Sequence, residues 1–439
     1  MPCPSCGVSV DLVHDGHSPS ECASPQRDLL KHCPKCGKLF LMGEHVCDQP
    51  SCRNEKLDIP HSTWADAHGG VQRRRSIRQE LTASVPGTPQ IVVFPDILQA
   101  EVGDTLISGY GRLYLDTDPN VRCYRDDGAR AVLAGAPFEA FPRSEATALL
   151  AHSGYVGVLG EEAAFLLDAN NPVPQARVEV RATAQMIADD EWWLIGAEGV
   201  RRISLLDALN DQPAALLLSG EFDDVLPPIR LENGVVWLVL PTGRHFIFDA
   251  SDQLCERPAL PDDEHYFAAF TSDGFAVLLS NRADNAGGVV RAWTLAGLAA
   301  GAEPETRELD FSLLHTWCAQ GNTAYVGAAS GDTILQLRLE MLQFSNPPLI
   351  LPPQTGLQEF VWLDESPGLL LYKTRDGKFR LFDPNGSGRD LPWNSEWNGG
   401  SVKSWIVWSR NIVAIVHDTL DGAEISRLVT IPRNPAKER

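Results

Sequence analysis

The chain has 439 residues, of which 44% are hydrophobic and 22% charged, and a formal net charge of −21. This composition is typical of a folded globular protein. It excludes a membrane-spanning helix, because no stretch approaches the ~20 consecutive apolar residues that a bilayer requires. The first residues, Met-Pro-Cys-Pro-Ser-Cys, lack the basic and apolar regions of a signal peptide, so we expect a cytoplasmic protein with no membrane association.

The negative charge is concentrated in the larger, C-terminal part of the chain. Residues 1–85 carry ten Lys/Arg and ten Asp/Glu, so the remaining residues hold the whole excess of −21. Such an acidic surface repels nucleic-acid phosphates, which argues against nucleic-acid binding by this part. It would accept a basic protein partner.

The N-terminal segment contains two matching sets of metal ligands. Seven of the ten cysteines lie in the first 52 residues, and two pairs share the pattern Cys-Pro-x-Cys-Gly. Each pair is followed by ten residues, a His or Cys, four residues and a Cys, so the second set repeats the first with an offset of 30 residues. Four ligands close a tetrahedral zinc site and leave no position for water, so we expect two structural zinc ions. The predicted ligands are Cys3, Cys6, His17, Cys22, Cys33, Cys36, Cys47 and Cys52.

Two alternatives concern how these ligands are used. His14 could replace His17, although the repeat favours His17. The two Cys-Pro-x-Cys pairs could also share one ion, but the remaining four ligands would then form an irregular second site. A segment of this size with few large apolar residues builds little core, so metal binding is expected to supply its folding free energy.

Residues 3–52 resemble the double zinc ribbon family through their two Cys-Pro-x-Cys-Gly motifs. The second half of each set departs from that family, because four residues separate its ligands where the family usually has two. The resemblance implies zinc binding and contacts with protein or nucleic acid. We therefore assign residues 1–55 to a tandem zinc-binding module.

Residues 56–88 are predicted to form a flexible linker. They lack sustained periodicity and contain Gly69-Gly70 and a basic run, Arg-Arg-Arg-Ser-Ile-Arg, at residues 73–78. We expect a short helix around residues 71–82. The basic run could contact an acidic partner, the acidic surface of the following domain or RNA, or it could remain solvated.

Residues 89–435 are predicted to form a β-propeller. An apolar segment, a tight polar turn and a second apolar segment recur, as where Asn233-Gly234 precedes Val235 and Asp273-Gly274 precedes Phe275. The turns recur about every 43 residues, a spacing typical of four-stranded blades, and they give eight blades, with seven as the alternative. The last unit is one strand short, and residues 90–94 form a spare strand that could complete it and close the ring.

This repeat resembles WD40-like and quinoprotein-like propellers in architecture, although it lacks a regular Gly-His…Trp-Asp signature. The resemblance implies a mainly β fold and no particular activity. Trp405 and Trp408 are expected to pack the last blade, while Trp393 and Trp397 lie on the connection before it.

The propeller region contains no recognised catalytic motif. Its histidines are isolated in the sequence, its paired aspartates fall at expected turns, and its three scattered cysteines are expected to be small buried residues. The histidines are His152, His245, His265, His315 and His417, and the cysteines are Cys123, Cys255 and Cys318.

The leading hypothesis is a non-catalytic scaffold or adaptor that binds protein partners through the acidic propeller and the zinc module. One alternative is an enzyme with its active site in the central funnel of the propeller. Another is nucleic-acid binding through residues 1–80, which the neutral charge of that region makes weak.

Overall fold

The computed structural model describes strand residues in the N-terminal third of the chain and most of residues 155–432. The described residues are 31–32, 39–40, 76–77, 90–92, 106–109, 112–116, 120–126, 131–133, 138–139, 149–152, 155–160, 162–168, 173–188, 190–222, 224–231, 235–249, 253–284, 287–344, 348–351, 356–363, 369–375, 379–382, 388–390, 401–408, 411–420 and 423–432.

The fold of these residues is mainly β. Four short strands come first: β1 (Lys31–His32), β2 (Leu39–Phe40), β3 (Ser76–Ile77) and β4 (Gln90–Val92). Strands β1 and β2 pair as an antiparallel hairpin whose connecting residues, 33–38, include the predicted ligands Cys33 and Cys36.

The strands that follow form eight sheets of four or five strands within the described residues, which is the number that the repeat predicts. Sheet 1 contains β5 (Leu106–Gly109), β6 (Arg112–Asp116), β7 (Asn120–Asp126), β8 (Ala131–Leu133) and β9 (Phe138–Glu139). Sheet 2 contains β10 (Leu149–His152), β11 (Tyr155–Leu159), β12 (Ala163–Asp168) and β13 (Pro174–Glu179).

The next two sheets follow the same order. Sheet 3 contains β14 (Ala184–Ala188), β15 (Glu191–Gly196), β16 (Gly199–Ser204) and β17 (Ala215–Leu218), with helix α1 (Leu205–Leu209) before its last strand. Sheet 4 contains β18 (Ile229–Arg230), β19 (Val236–Val239), β20 (His245–Phe248) and β21 (Leu254–Glu256).

Sheet 5 again has a helix in its last connection. It contains β22 (Glu264–Ser272), β23 (Phe275–Arg282), β24 (Gly288–Thr294) and β25 (Glu305–Glu308), with helix α2 (Leu295–Ala300) before its last strand. Sheet 6 contains β26 (Leu313–Gln320), β27 (Thr323–Ala328), β28 (Thr333–Arg338), β29 (Gln343–Phe344) and β30 (Leu349–Ile350). Within the described part of the chain, both helices are too short to span a membrane.

The last two sheets each include a strand from earlier in the chain. Sheet 7 contains β31 (Leu357–Leu363), β32 (Leu369–Thr374), β33 (Phe379–Phe382) and β34 (Gly388–Asp390), and β3 adds to it beside β31. Sheet 8 contains β35 (Ser401–Trp408), β36 (Asn411–Leu420) and β37 (Ala423–Pro432), and β4 is its fourth strand.

The pairing of β4 confirms that the spare strand completes the last sheet. Ile91 lies opposite Val429 in an antiparallel pair, so the last sheet is completed from the start of the domain. The prediction of a short helix around residues 71–82 is wrong at Ser76–Ile77, which form strand β3. Residues 71–82 are rich in helix-forming side chains, but pairing with a neighbouring strand overrides that local preference.

Tight turns join successive strands where the sequence predicts them. Asp273 and Gly274 both have positive φ, 48° and 80°, which is the backbone of a type I′ hairpin turn. A Cβ atom added at Gly274 would have no neighbouring atom within 4 Å. Glycine is therefore favoured there by the positive φ of the backbone and not by a lack of room for a side chain.

Apolar residues fill the spaces between neighbouring sheets. One cluster joins Met186 and Trp193 of sheet 3 to Phe246 and Phe248 of sheet 4, and all four side chains are buried. Trp405 of sheet 8 is buried as predicted, lies edge-on to Phe379 of sheet 7, and donates a hydrogen bond to Glu359 of that sheet. Consecutive sheets packed face to face in this way make the fold propeller-like.

Hydrogen bonds from buried side chains also join neighbouring sheets. Asn281 of β23 donates to the backbone oxygen of Leu313 at 2.9 Å and accepts from its nitrogen at 2.7 Å. Gln185 of β14 donates to the oxygen of Gly157 in sheet 2 at 3.0 Å and accepts from Trp192 at 3.0 Å. These buried amides are paired with partners in the adjacent sheet, which fixes one sheet against the next.

Candidate functional site

One end of the propeller-like domain carries the turns between first and second strands and the connections between third and fourth strands. We call this end the turn face. In sheets 2–6 its connections are rich in carboxylates, and all but one of those described are exposed. They are Asp168 (half-buried), Asp190, Asp207, Asp211, Asp249, Asp273, Glu303 and Glu340.

The backbone holds several of these carboxylates in fixed positions. Asp190 has a φ of 60° and its oxygen accepts a hydrogen bond from the nitrogen of Leu205 at 2.8 Å. Ser204 caps α1 by accepting from the nitrogen of Asp207 at 3.0 Å, and its hydroxyl donates to the Asp207 carboxylate at 2.7 Å. The turn face is therefore an ordered acidic surface.

The opposite end of the sheets also carries carboxylates; some of them are paired with arginines, and others, such as Asp262, Asp263 and Asp310, are exposed. Three such pairs are Arg181–Glu162 at 3.7 Å, Arg201–Glu198 at 3.1 Å and Arg244–Glu256 at 2.9 Å. The chain also contains no lysine between Lys56 and Lys373. The positive charge of sheets 1–6 is thus carried by arginines, and one of them, Arg202, pairs with Glu191 at the turn-face end at 2.8 Å.

An additional strand occupies the inner edge of sheet 7. Strand β3 pairs in parallel with β31, with Ser76 opposite Trp362 and Ile77 opposite Leu363. β3 also lies near β26, the first strand of sheet 6. Trp362 and Leu363 are the last residues of β31, so this pairing lies at the turn-face end of that strand. No other sheet in the described residues has a strand outside its first strand.

Two histidines that are isolated in the sequence approach each other at the end opposite the turn face. His265 of β22 and His315 of β26 have ring centroids 6.1 Å apart. A bulge at Phe267 brings its ring parallel to that of His315, with centroids 4.3 Å apart and an interplanar angle of 13°. Burial lowers the pKa of His315, and the neighbouring His265 lowers it further, so this imidazole is neutral at pH 7.

A buried ion pair lies on β22, the strand that carries His265. Arg291 makes two hydrogen bonds to the Glu264 carboxylate, at 2.5 and 2.6 Å, and Ser280 donates a third at 2.5 Å. Burial raises the pKa of Glu264, but the hydrogen bonds from Arg291 and Ser280 outweigh it and hold this pKa below its ordinary value. Since these groups satisfy one another, the pair positions β22 against β23 and β24.

His245 is buried, and both of its ring nitrogens have hydrogen-bond partners. Its Nδ1 accepts from Trp237 at 3.2 Å, its Nε2 lies 3.0 Å from the oxygen of Pro258, and its ring also packs against Trp293. Burial lowers the pKa of His245, which favours the neutral ring that this bonding requires. Its surroundings are those of a hydrogen-bonded core histidine.

The eight predicted zinc ligands and His14 lie outside the described residues, as do Trp393 and Trp397. Within the described residues, no group of three or more His, Cys, Asp or Glu could hold a metal ion. Cys123 and Cys318 are buried as predicted. The prediction is wrong for Cys255, which is exposed because β21 is the outermost strand of sheet 4.

Comparisons with known proteins concern the fold. No family model and no curated protein matches the sequence. The crystal structure of the computationally designed Ika8 protein is similar with a TM-score of 0.53 and 11% identity, covering 78% of this chain and 99% of that chain. The crystal structure of BamB from Moraxella catarrhalis is similar with a TM-score of 0.48 and 12% identity, covering 79% of this chain and 100% of that chain. The crystal structure of virginiamycin B lyase from Staphylococcus aureus is similar with a TM-score of 0.43 and 10% identity, covering 78% of this chain and 98% of that chain. Identities this low carry no function to this chain.

Proposed function

We propose that the eight sheets close into a ring, as in WD40-like and quinoprotein-like propellers. The pairing of β4 with β37 supports closure, because it joins the start of the domain to its last sheet. The first strand of sheet 8, β35, also contacts the first strand of sheet 1, β5. A closed ring ties the two ends of the domain together and gives a rigid platform.

Residues 1–55 are proposed to bind two structural zinc ions through the two predicted ligand sets. The hairpin of β1 and β2 supports the second set, because Cys33 and Cys36 lie in its connection and such a turn can direct two thiolates at one ion. The module would then serve as a second docking element, tethered to the ring.

The function that the geometry supports best is that of a cytoplasmic, non-catalytic adaptor whose acidic turn face binds a basic segment of a partner protein. The observation that carries this proposal is the set of exposed carboxylates on the turns and helix caps of the turn face. Seven of the described carboxylates on this face are exposed, and hydrogen bonds of the turn at Asp190 and of the α1 cap at Asp207 order the backbone that carries them. An acidic surface of this kind attracts and orients a basic ligand.

A binding measurement with charge-matched variants tests the proposal. The probe is a fluorescent deca-lysine peptide, titrated against the full chain at about 0.15 M salt. The triple variant Asp190→Asn, Asp207→Asn, Asp273→Asn removes three charges from the turn face, and asparagine tolerates the positive φ at two of these positions. At about 0.5 kcal/mol for each exposed pair, affinity should fall about tenfold.

The control variant makes the same change in net charge at the opposite end, with Glu162→Gln, Glu198→Gln and Glu256→Gln. Its affinity for the peptide should stay within about twofold of the wild type, because salt screens charges beyond ~8 Å. Equal weakening by both variants would indicate attraction by net charge and would contradict a specific face.

A further inference from the structure

A pair of imidazoles lies between sheets 5 and 6, at the end opposite the turn face. His265 of β22 and His315 of β26 are both exposed to solvent, and neither ring forms a hydrogen bond with any described residue. The buried His245 differs, because both of its ring nitrogens are bonded. The part of the chain that the structure describes thus leaves the nitrogens of the exposed pair available to an external ligand.

Buried contacts fix how far apart the two rings lie. His265 is opposite Asn281 in the pairing of β22 with β23, and the Asn281 side chain makes two hydrogen bonds to the backbone of Leu313, two residues before His315. Phe267 stacks on one face of the His315 ring, with centroids 4.3 Å apart. A metal ion binds an imidazole in the plane of its ring, so this stacking holds the ring without covering its nitrogens.

The separation of the two rings fits imidazoles that share one metal ion. A metal–nitrogen bond of about 2.0–2.1 Å puts the centre of each ring about 3.2 Å from the ion. The two centres are then about 4.5 Å apart when the bonds meet at a right angle and about 6.4 Å apart when they are opposite. The observed distance of 6.1 Å lies within this range.

We propose that His265 and His315 together bind one divalent transition-metal ion of the class that prefers imidazole, such as Zn²⁺, Ni²⁺ or Cu²⁺. No group of three or more ligands occurs among the described residues, so water would fill the remaining positions of the ion. An open site of this kind exchanges its ion and can accept a ligand from a partner molecule. It lies away from the turn face and does not depend on the proposed function.

Calorimetric titration of the full chain with NiCl₂ tests the site. Nickel is the probe because it favours imidazole, whereas the thiolates of the N-terminal segment favour zinc. The wild type should bind one more equivalent of Ni²⁺ than the double variant His265→Gln, His315→Gln, which keeps every other candidate ligand. Each single variant should bind that equivalent about tenfold more weakly, because one imidazole remains. The matched control, His152→Gln in β10, should bind Ni²⁺ as the wild type does.

Nuclear magnetic resonance of the chain labelled with ¹⁵N-histidine locates the ion. Less than one equivalent of Ni²⁺, which is paramagnetic, should broaden the ring signals of His265 and His315, which the single variants assign. The signal of His245 should broaden only at higher concentration, because its nitrogens are bonded within the core. Equal Ni²⁺ binding by the wild type and the double variant, or unchanged signals from both exposed rings, would overturn the site. Neither result would affect deca-lysine binding at the turn face.

Discussion

At the scale of single residues, buried polar side chains join the sheets. Asn281 and Gln185 each bond to the backbone of an adjacent sheet, and His245 is held between Trp237 and an oxygen of Pro258. The sequence predicts a structural role for this histidine, and its buried environment agrees. The approach of His265 to His315 could not be predicted, because 49 residues separate them and only the packing of sheet 5 against sheet 6 brings them together.

His315 makes stability depend on pH in a defined direction. Its folded pKa lies below the ordinary value of 6.5, so the unfolded chain binds a proton at higher pH than the folded chain does. The stabilisation is therefore complete above pH 6.5 and is lost as the pH falls from that value through the lower folded pKa. His315→Phe keeps an aromatic ring against Phe267 and should lose less stability than the wild type between about pH 7.5 and 5.5. Urea unfolding at the two pH values measures the free energy of unfolding of both proteins. An equal loss in the wild type and in His315→Phe would show that His315 does not contribute.

At the scale of secondary-structure elements, the strands and their turns could be predicted from the sequence, because alternating apolar residues and tight-turn residues are local signals. The Asp273-Gly274 turn and the spare strand β4 are examples. Strand β3 could not be predicted in this way. Two residues are too short to show a strand period, and their conformation depends on the free edge of β31.

The pairing of β4 with the last sheet predicts a large effect from a small change. Ile91→Pro removes a backbone donor opposite Val429 and should lower the free energy of unfolding by about 1–3 kcal/mol. Thr88→Pro, two residues before β4, should change it by less than about 0.5 kcal/mol. Urea unfolding followed by tryptophan fluorescence measures both. Similar stability in the two variants would contradict the contribution of β4 to the last sheet.

At the scale of the whole molecule, a repeat of about 43 residues predicts a propeller, and the described strands form eight consecutive sheets. The acidic character of this domain could also be predicted from composition. Its distribution between the two ends could not, because it depends on which connections lie together in three dimensions and on which carboxylates are paired with arginine. The zinc module remains a prediction from ligand spacing.

Zinc content tests that module. The purified full chain should contain about two equivalents of zinc, and Cys33→Ser with Cys36→Ser should reduce this to about one, because one ligand set loses two thiolates. Cys255→Ser changes an exposed cysteine of β21 and should retain two equivalents. Elemental analysis of each protein gives the values. Less than one equivalent in the wild type would contradict two four-ligand sites.

The central claim is that the turn face is the surface that binds a basic ligand, and hydrogen exchange with and without deca-lysine tests it most directly. We predict slower exchange in α1, in the turn at Asp273-Gly274 and in α2, with no change in the turns that follow β15 and β23 at the opposite end. Protection at that opposite end, or no protection at a saturating peptide concentration, would contradict the claim.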